Sequence, residues 1–368
     1  MRPTRSLLVP VLAVLALTGL GPPAGAGGGV VEVVWSETST GIAVNGTYTP
    51  IVGDFLGGPT GQLDDIIWYA PGAATDHIWR TGEVDDAPFT SQVLAPGVNG
   101  TYTPIVGDFA GNTRDDILWY APGAAADSLW ISDGTTFSSR AVTVNGTYTP
   151  VVLDDAAGYD DIVWARPGGG SGSLWVFHGT GHVSRSITSP TGSQPLVGRF
   201  NDGSCADLFW YVPGPSPDAA WYLNCNGIIG AIAVQHVNGT YEPVVADGVV
   251  EGANDGILWF RDGGPSSYWE GDEVGTWKTD VYGNEVDGTP VAAGAWVHLR
   301  SDGGEPDELL RVPGAPTTTV VPSGTAPLAA ALDPVVGRFV LTGSPSHDIL
   351  WYAPGPTAER LFSVQSLI

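Results

Sequence analysis

The sequence predicts an all-β fold, a seven-bladed β-propeller of four-stranded blades, from three features that recur along the chain. One is a segment reading NGTYTP or NGTYEP, which begins at Asn45, Asn99, Asn145 and Asn238. Another is an apolar stretch followed by a turn, as in DDIIWYAPG at 64–72. The third is a second tryptophan eleven residues after the tryptophan of that stretch, as in Trp68 and Trp79. Regular repetition of this kind is typical of a propeller rather than of separate domains.

Each repeat unit contains four short strands, which in the first unit are PIVGDF, DIIWYA, HIWRT and SQVLA. Turns rich in proline and glycine, such as APGAATD, join neighbouring apolar segments into antiparallel hairpins, with the paired tryptophans as cross-strand neighbours. Weaker unit starts at Ser193, Asp287 and Asp333 bring the number of units to seven. The expected blades span 45–98, 99–144, 145–192, 193–237, 238–286, 287–332 and 333–368.

The two ends of the chain are expected to meet in the last blade. The last unit ends at LFSVQSLI, too early for a fourth strand, and the segment 30–44 precedes the first unit without a unit of its own. A blade buries both of its faces only when neighbours stack on each side and the ring is closed. The sequence therefore predicts one domain over 27–368, in which 30–44 supplies the outer strand of the last blade.

The N-terminus has the features of a secretory signal peptide over 1–26. Arg2 and Arg5 give a positive start, an apolar core runs from 7 to 20, and Ala24 to Ala26 form an A-x-A cleavage pattern. We therefore expect a secreted protein that begins near Gly27 and has no membrane span after cleavage.

The charge of the chain excludes some classes of partner. There are 14 Lys and Arg residues against 39 Asp and Glu residues, and without Arg2 and Arg5 the balance is 12 − 39, or −27. Such a field repels phosphate backbones, which excludes nucleic acid and anionic membranes as expected partners. It is compatible with a cationic partner, a bound metal ion or simply a soluble acidic surface. We expect a monomer.

The string GDFAGNTRDDILWYAPG at 107–123 resembles the FG-GAP/VCBS repeat of secreted bacterial propellers and, more distantly, of integrin α-chains. The resemblance extends over nearly the whole mature chain. In that family the loop between the first two strands often binds calcium through oxygen-bearing side chains. The resemblance therefore implies weak calcium sites at Asp108, Asn112 and Asp116 and at Asp247, Glu251 and Asp255. In the other units the ligand pattern is broken, and no further cofactor is expected.

Two arginines stand where the first aspartate of the calcium pattern is expected, Arg199 in the fourth unit and Arg338 in the seventh. One interpretation is that each guanidinium replaces the cation and pairs with the aspartate at the end of its loop, Asp207 or Asp348. The other is that both arginines point to solvent.

The two cysteines of this exported chain suggest one disulfide. Cys205 lies in the loop between the first and second strands of the fourth unit, and Cys225 lies at the turn between its third and fourth strands. Both loops emerge at the same end of a blade, because two strand reversals separate them. The sequence therefore predicts a Cys205–Cys225 disulfide within one blade.

The crossings between blades carry candidate ligand-binding residues, Tyr48, Tyr102, Tyr148 and Tyr241. A ring of tyrosines near the axis would stack on sugars or anchor a protein partner. The alternative is that Asn-Gly forms a tight turn and each tyrosine packs between blades.

The sequence favours a non-catalytic binding module that recognises a glycan or a protein. It contains no zinc-protease, nucleophile-elbow or P-loop motif, and we interpret His178 and His182 as surface residues. One alternative is a carbohydrate-active enzyme, a polysaccharide hydrolase or lyase, that uses the acidic cluster Glu270, Asp272 and Glu273. Another is a structural protein of the cell envelope. Fold class alone does not choose among them.

Overall fold

The computed structural model describes residues 33–57, 63–84, 87–154, 158–179, 181–201, 203–246, 254–261, 264–272, 276–282, 289–293, 296–300, 308–311, 319–320, 332–339, 348–352, 354–356 and 358–366. The regular elements among them are all β-strands. In this part of the chain no helix is long and apolar enough to cross a membrane. The expected signal peptide lies outside the described residues.

The strands form four-stranded antiparallel sheets and occupy four positions from the centre outwards. The first strands are β2 (Thr49–Gly53), β6 (Thr103–Gly107), β10 (Thr149–Leu153), β14 (Gln194–Gly198), β18 (Glu242–Ala246), β22 (Thr289–Ala293) and β26 (Asp333–Gly337). The second strands are β3 (Asp65–Tyr69), β7 (Asp116–Tyr120), β11 (Asp161–Ala165), β15 (Asp207–Tyr211), β19 (Gly256–Phe260), β23 (Trp296–Arg300) and β27 (Asp348–Tyr352). The third strands are β4 (His77–Val84), β8 (Asp127–Ser132), β12 (Gly170–His178), β16 (Asp218–Asn224), β20 (Ser266–Gly271), β24 (Glu308–Arg311) and β28 (Arg360–Ser366). The outer strands are β5 (Ala87–Val93), β9 (Phe137–Val142), β13 (Gly181–Ser189), β17 (Ile228–Gln235), β21 (Trp277–Tyr282), β25 (Thr319–Val320) and β1 (Val33–Ser39).

Six blades are built from four consecutive strands each, and the remaining sheet is composite. Blades 1 to 6 run from β2–β5 to β22–β25 in chain order, and the composite blade has the order β26-β27-β28-β1. The chain thus supplies six complete consecutive repeats rather than seven. In the composite blade β1 pairs antiparallel with β28, from Val33 opposite Ser366 to Ser39 opposite Arg360. The N-terminal segment therefore provides the outer strand that the last unit lacks.

The sheets are arranged around a common axis. Each first strand contacts the first strands of the two neighbouring sheets, and β26 of the composite blade contacts β2 of blade 1. The prediction of an all-β propeller with four-stranded antiparallel blades is confirmed by this arrangement.

The second strands are the most buried elements of the fold. Every residue of β3, β7, β11, β15, β19 and β27 is buried. A strand covered on both faces needs a continuous apolar run instead of alternation, which is what DIIWY and its copies provide. These strands can have such sequences because a neighbouring blade covers each of their faces.

The hydrophobic core lies between the blades. Along β3, for example, Trp68 belongs to a cluster shared with the composite blade, whereas the next residue, Tyr69, belongs to a cluster shared with blade 2. In blades 1 to 4 the tryptophan of the second strand also meets the tryptophan eleven residues on in an edge-to-face contact, at 5.1 Å for Trp68 and Trp79. The expected cross-strand neighbours are in diagonal contact, since Trp79 pairs directly with Ile66.

Candidate functional site

A tyrosine at the end of a second strand is hydrogen-bonded to the backbone of the crossing that leads to the next blade. The hydroxyl of Tyr69 donates to the carbonyl oxygen of Gly100 at 2.7 Å and accepts a hydrogen bond from the backbone N–H of Tyr102 at 3.0 Å. We call this pair of bonds the tyrosine latch. The same latch is made by Tyr120, Tyr211 and Tyr352 with the crossings of Tyr148, Tyr241 and Tyr48.

The glycine of each latched crossing is required for two reasons. Gly100 has a φ of 143°, in a region where residues with a side chain are strained. A Cβ atom there would also lie 2.6 Å from Cε2 of Tyr102, because the tyrosine ring folds over the glycine. The NGTY motif therefore encodes a crossing in which the ring covers its own turn.

The latch tyrosine and the NGTY motif occur together in the sequence. Blade 3 has Ala165 at the latch position and blade 5 has Phe260, and the crossings that follow them, at Ser193 and Asp287, lack NGTY. In the composite blade Tyr352 bonds to Gly46, so that the last unit is coupled to the first crossing. This correlation is present in the sequence, and the hydrogen bonds of the latch give its physical reason.

The rings of the crossing tyrosines pack on their own blades. Tyr102, Tyr148 and Tyr241 meet the second-strand tryptophans Trp119, Trp164 and Trp259 edge to face at 6.1–6.4 Å. Arg166 and Arg261 lie over two of these rings, at 5.5 and 4.3 Å from the ring centres of Tyr148 and Tyr241. The packing interpretation therefore accounts for these contacts, and ligand binding by the tyrosine ring as a whole stays a prediction.

The loop implied as a calcium site in blade 2 uses its oxygen atoms internally. The carboxylate of Asp108 accepts hydrogen bonds from the backbone N–H groups of Gly111, Asn112 and Thr113 at 2.7–3.0 Å. The side-chain oxygen of Asn112 accepts from the N–H of Arg114 at 3.0 Å. These oxygen atoms are occupied by backbone donors, and calcium binding at this loop stays a prediction.

Of the remaining implied calcium ligands, two accept hydrogen bonds from the backbone and two lie outside the described residues. Asp116 accepts from the N–H of Ser132 at 2.9 Å, which ties the start of β7 to the end of β8. Asp255 accepts from the N–H of Arg199, while Asp247 and Glu251 lie outside the described residues. Within the described ranges no three His, Cys, Asp or Glu side chains are grouped as a metal site would require.

The pairing proposed for Arg199 with Asp207 is not formed. The guanidinium of Arg199 lies 3.7 Å from Asp255 of the next blade, while Asp207 accepts from the N–H of Phe200 and of Leu223. Asp207 is therefore satisfied by the backbone of its own blade. Arg338 bonds to Asp64 of blade 1 through its backbone N–H at 2.7 Å.

The predicted disulfide is confirmed. Cys205 and Cys225 are bonded, with their Cα atoms 5.2 Å apart. The bond joins the loop between β14 and β15 to the turn between β16 and β17, as expected for two loops at one end of a blade.

The acidic cluster of the enzyme alternative lies away from the crossings. Asp272 forms an exposed ion pair with Lys278 at 3.3 Å, at the turn between β20 and β21. Glu270 pairs across the strands with Lys278, and Glu273 lies outside the described residues.

His182, in blade 3, stacks on Trp175 with the ring centres 3.8 Å apart, and burial lowers the pKa of its imidazole ring.

A pocket lies where the N-terminal segment enters blade 1. Its volume is about 220 Å³. The lining residues are Ile42, Ala43, Val44, Asn45, Tyr48, Trp68, His77, Trp79 and Ser91. Three of them are the aromatic residues Tyr48, Trp68 and Trp79, and the polar groups of Asn45, His77 and Ser91 share the wall with these rings. Of the four crossing tyrosines, Tyr48 is thus placed at this pocket.

His77 distinguishes blade 1 from the other blades. It pairs with Trp68, and its ring meets Tyr48 edge to face at 6.4 Å. The residues that pair with the equivalent tryptophan in blades 2 to 5 are Ser128, Ser173, Ala219 and Ser267. An imidazole therefore stands in blade 1 where blades 2 to 5 have a small residue, and the composite blade has Arg360 at this position. Residues that serve the fold recur at the same position from blade to blade, so a residue that differs at such a position points to a role local to its blade.

Comparison with known proteins identifies the fold alone. No family model matches this chain, and no curated protein matches it. A lectin of Agrocybe aegerita, whose structure concerns specific recognition of non-reducing terminal N-acetylglucosamine, has a TM-score of 0.53 at 11% identity, over 88% of this chain and 86% of the lectin. Virginiamycin B lyase of Staphylococcus aureus has a TM-score of 0.52 at 12% identity, over 92% and 100% of the two chains.

The Tc holotoxin pore of Photorhabdus luminescens is a further structural match. Its TM-score is 0.51 at 14% identity, over 90% of this chain, which spans only 14% of the toxin chain. At these identities the three proteins share the propeller fold with this chain.

Proposed function

We propose that this chain is a secreted, non-catalytic binding module and that the pocket of blade 1 holds its ligand. The observation that carries the proposal is the combination of aromatic rings with Asn45, His77 and Ser91 in one pocket. Ligand sites of proteins are commonly apolar and aromatic, with a few polar groups that fix orientation. His77 adds such a group at a position where four other blades have serine or alanine.

The chemistry of the pocket favours a sugar residue as the ligand, with a protein side chain as the alternative. A sugar presents an apolar face that stacks on aromatic rings and hydroxyl groups that bond to amide, imidazole and hydroxyl side chains. A volume of about 220 Å³ is below the roughly 300–1,000 Å³ of sites for drug-sized molecules. One terminal residue of a glycan suits this size. The lectin similarity supports only that the fold can carry a sugar site.

A binding role is favoured over glycoside hydrolysis by the residues of the pocket. Most glycoside hydrolases use two carboxyl groups that flank the scissile bond. None of the described residues that line this pocket carries a carboxylate. The cluster at Asp272 lies on a different turn and is paired with Lys278.

The first test is binding of the chain from Gly27 onward to a glycan array, with product analysis for turnover. We expect selective binding without turnover, and at least about a tenfold loss of affinity in His77→Ser, because one oriented hydrogen bond and one ring contact are removed. His77→Ser installs the residue of blade 2, so the fold should be kept. His182→Ser is the matched control, since it removes a histidine from blade 3 and should leave binding unchanged.

The outcomes separate the candidate functions. Release of shortened glycans would favour the enzyme, and binding unaffected by His77→Ser would exclude the blade 1 pocket. Absence of glycan binding would leave a protein ligand or a structural role in the cell envelope. Repeating the array in calcium and in EDTA tests the implied calcium sites, and a loss in EDTA would point to the loop that contains Asp108 and Asn112 or to the loop that contains Asp247 and Glu251.

A further inference from the structure

β17 is an outer strand with few features that prevent it from pairing with a strand of another molecule. It closes the sheet order β14-β15-β16-β17, so its free edge faces outwards. Edge strands are usually protected by charges, proline or bulges, because their free N–H and C=O groups invite another strand. β9, β13, β21 and β1 carry Arg140, Arg185, Lys278 and Glu37, and β5 carries Pro88. β17 reads IIGAIAVQ, with neither charge nor proline.

One half of β17 is regular and apolar at its surface. The register shifts between Tyr222 and Leu223, which leaves Gly230 as a bulged residue and makes 231–235 a regular strand. In that half the exposed side chains are Ile232, at 58%, and Val234, at 65%. The residues between them, Ala231 and Ala233, lie on the opposite face of the sheet and pack on the core shared with blade 5.

The apolar surface continues across the opening between blades 3 and 4. Ile232 pairs with Trp221 and Val183 pairs with Val176, so the members of each pair lie on one face of their sheet. Trp221 and Val176 belong to the same cluster between these blades. Val183, 46% exposed, therefore faces the same opening as Ile232.

We propose that β17 pairs antiparallel with β17 of a second copy of this chain, centred on Ala233. In that register Ile232 of each copy lies opposite Val234 of the other, and both pairs are apolar and β-branched, as strands prefer. The contact is two-fold symmetric and self-complementary, so it closes at a dimer and does not propagate into a fibre. This proposal replaces the monomer that we expected, and it does not depend on the function proposed for the blade 1 pocket.

The charge distribution selects a second copy as the occupant. The chain has a net charge of −25, so two copies repel over most of their surfaces. The segment 219–235 contains no charged residue, and it includes the whole of β17. Two copies can therefore meet there without bringing acidic groups together. Because the remaining repulsion is screened by salt, the dimer should become more stable as ionic strength rises.

The dimer is expected to be weak. Two five-residue edges that pair bury less accessible surface than the roughly 1,200–2,000 Å² of standard stable interfaces. This remains so when the contact of Val183 is included. Sedimentation velocity over a range of concentrations, in low and in high salt, should show one chain at the lowest concentration and two at the highest. A mass of one chain under every condition would overturn the proposal.

Two substitutions of the same kind locate the contact. Ile232→Lys puts a charge opposite Val234 twice in each dimer, and we expect the dissociation constant to rise at least about tenfold. Ile228→Lys makes the same change on the same strand before the bulge, outside the paired stretch, and should leave association unchanged. Both variants alter the net charge equally, so long-range repulsion is matched. Equal weakening by the two would contradict the proposed register, and thermal unfolding checks that both fold.

A mixing experiment tests the register directly. Val234→Glu alone should also weaken the dimer, for the same reason as Ile232→Lys. In the proposed register a mixture of these two variants places the new ammonium group opposite the new carboxylate once in each mixed dimer. We therefore expect the mixture to associate more strongly than either variant alone. If mixing gives no gain over the separate variants, Ile232 and Val234 are not neighbours across the interface.

Discussion

A single phenolic hydroxyl holds each latched crossing against the preceding blade. The hydroxyl of Tyr120 donates to the carbonyl oxygen of Gly146 at 2.8 Å and accepts from the N–H of Tyr148 at 2.9 Å, so it satisfies two backbone groups at once. Burial raises the pKa of the Tyr120 hydroxyl above its ordinary value. The latch thus depends on the hydroxyl, whereas the ring of Tyr120 packs on Trp164 at 5.1 Å and would do so without it.

Tyr120→Phe should therefore destabilise the protein while leaving the core packing in place. We expect a loss of about 1–3 kcal/mol in the free energy of unfolding, because two backbone groups lose their partner. Tyr148→Phe is the control, since that hydroxyl makes only a long, exposed contact of 3.5 Å with Asn145. Urea unfolding of both variants measures the difference. Equal losses would show that the hydroxyl of Tyr120 is not the fastening group.

The residue pattern of the latch is readable in the sequence only once its geometry is known. Each partner taken alone has an ordinary explanation, Tyr120 as core and NGTY as a turn. The informative observation is that Ala165 and Phe260 are each followed by a crossing without NGTY. The pocket at His77 was missed for a different reason. Its lining residues come from 42–48, 68–79 and Ser91, which are separated in the sequence and meet only in the folded chain.

In several blades, an aspartate at the start of the second strand ties three segments together. Asp65 accepts from the N–H of Leu56 in the preceding loop at 2.7 Å and from the N–H of Thr81 in β4 at 3.2 Å. Asp207 does the same with Phe200 and Leu223. The recurring acidic residues therefore organise the blade. The family resemblance implied calcium from the same residue types, because ligand loops and backbone-capping loops both select aspartate and asparagine, as at Asp108.

These buried carboxyl groups predict that stability decreases as pH rises. Burial raises the pKa of Asp65, Asp116 and Asp207 from 3.8 to about 7. The native state then binds more protons than the unfolded state between these values, so this contribution is fully present below pH 3.8 and is lost as pH rises through about 7. We expect the melting temperature to fall between about pH 5 and pH 8.

Substitution assigns that pH dependence to the buried aspartates. Asp116→Asn keeps an acceptor oxygen for the N–H of Ser132 but cannot ionise, so the decrease should be smaller in this variant. Asp133→Asn is the control, because Asp133 is exposed and hydrogen bonds from Thr136 and Thr135 lower its pKa below the window. Differential scanning calorimetry at several pH values measures the slope. A melting temperature that rises towards pH 8 in the unsubstituted chain would refute the account.

The whole molecule depends on a closure that joins residues from the two ends of the chain. β1 pairs with β28 along seven positions, and Tyr352 bonds to the first crossing at Gly46 and Tyr48. Closure was predictable because the last unit lacked a strand and 30–44 had no unit of its own. The partners of individual loops were not predictable, as Arg199 shows, because its neighbour Asp255 is supplied by the next blade and not by its own.

Removal of β1 should therefore weaken the entire ring. A chain that starts at Thr40 loses the outer strand of the composite blade but keeps the contact of Val44 with Glu359 at 3.2 Å. Its free energy of unfolding should fall by more than about 2 kcal/mol, since a whole strand exceeds a typical single substitution. A chain that starts at Val33 keeps β1 and serves as the control, with an unchanged melting temperature.

The number of unfolding transitions tests whether the blades depend on one another. Because each blade is stabilised by its two neighbours, the loss of stability at one interface affects the whole ring, and calorimetry of the shortened chain should still show one transition, at a lower temperature. A separate early transition confined to part of the protein would mean instead that the composite blade unfolds on its own and that the other six do not depend on closure.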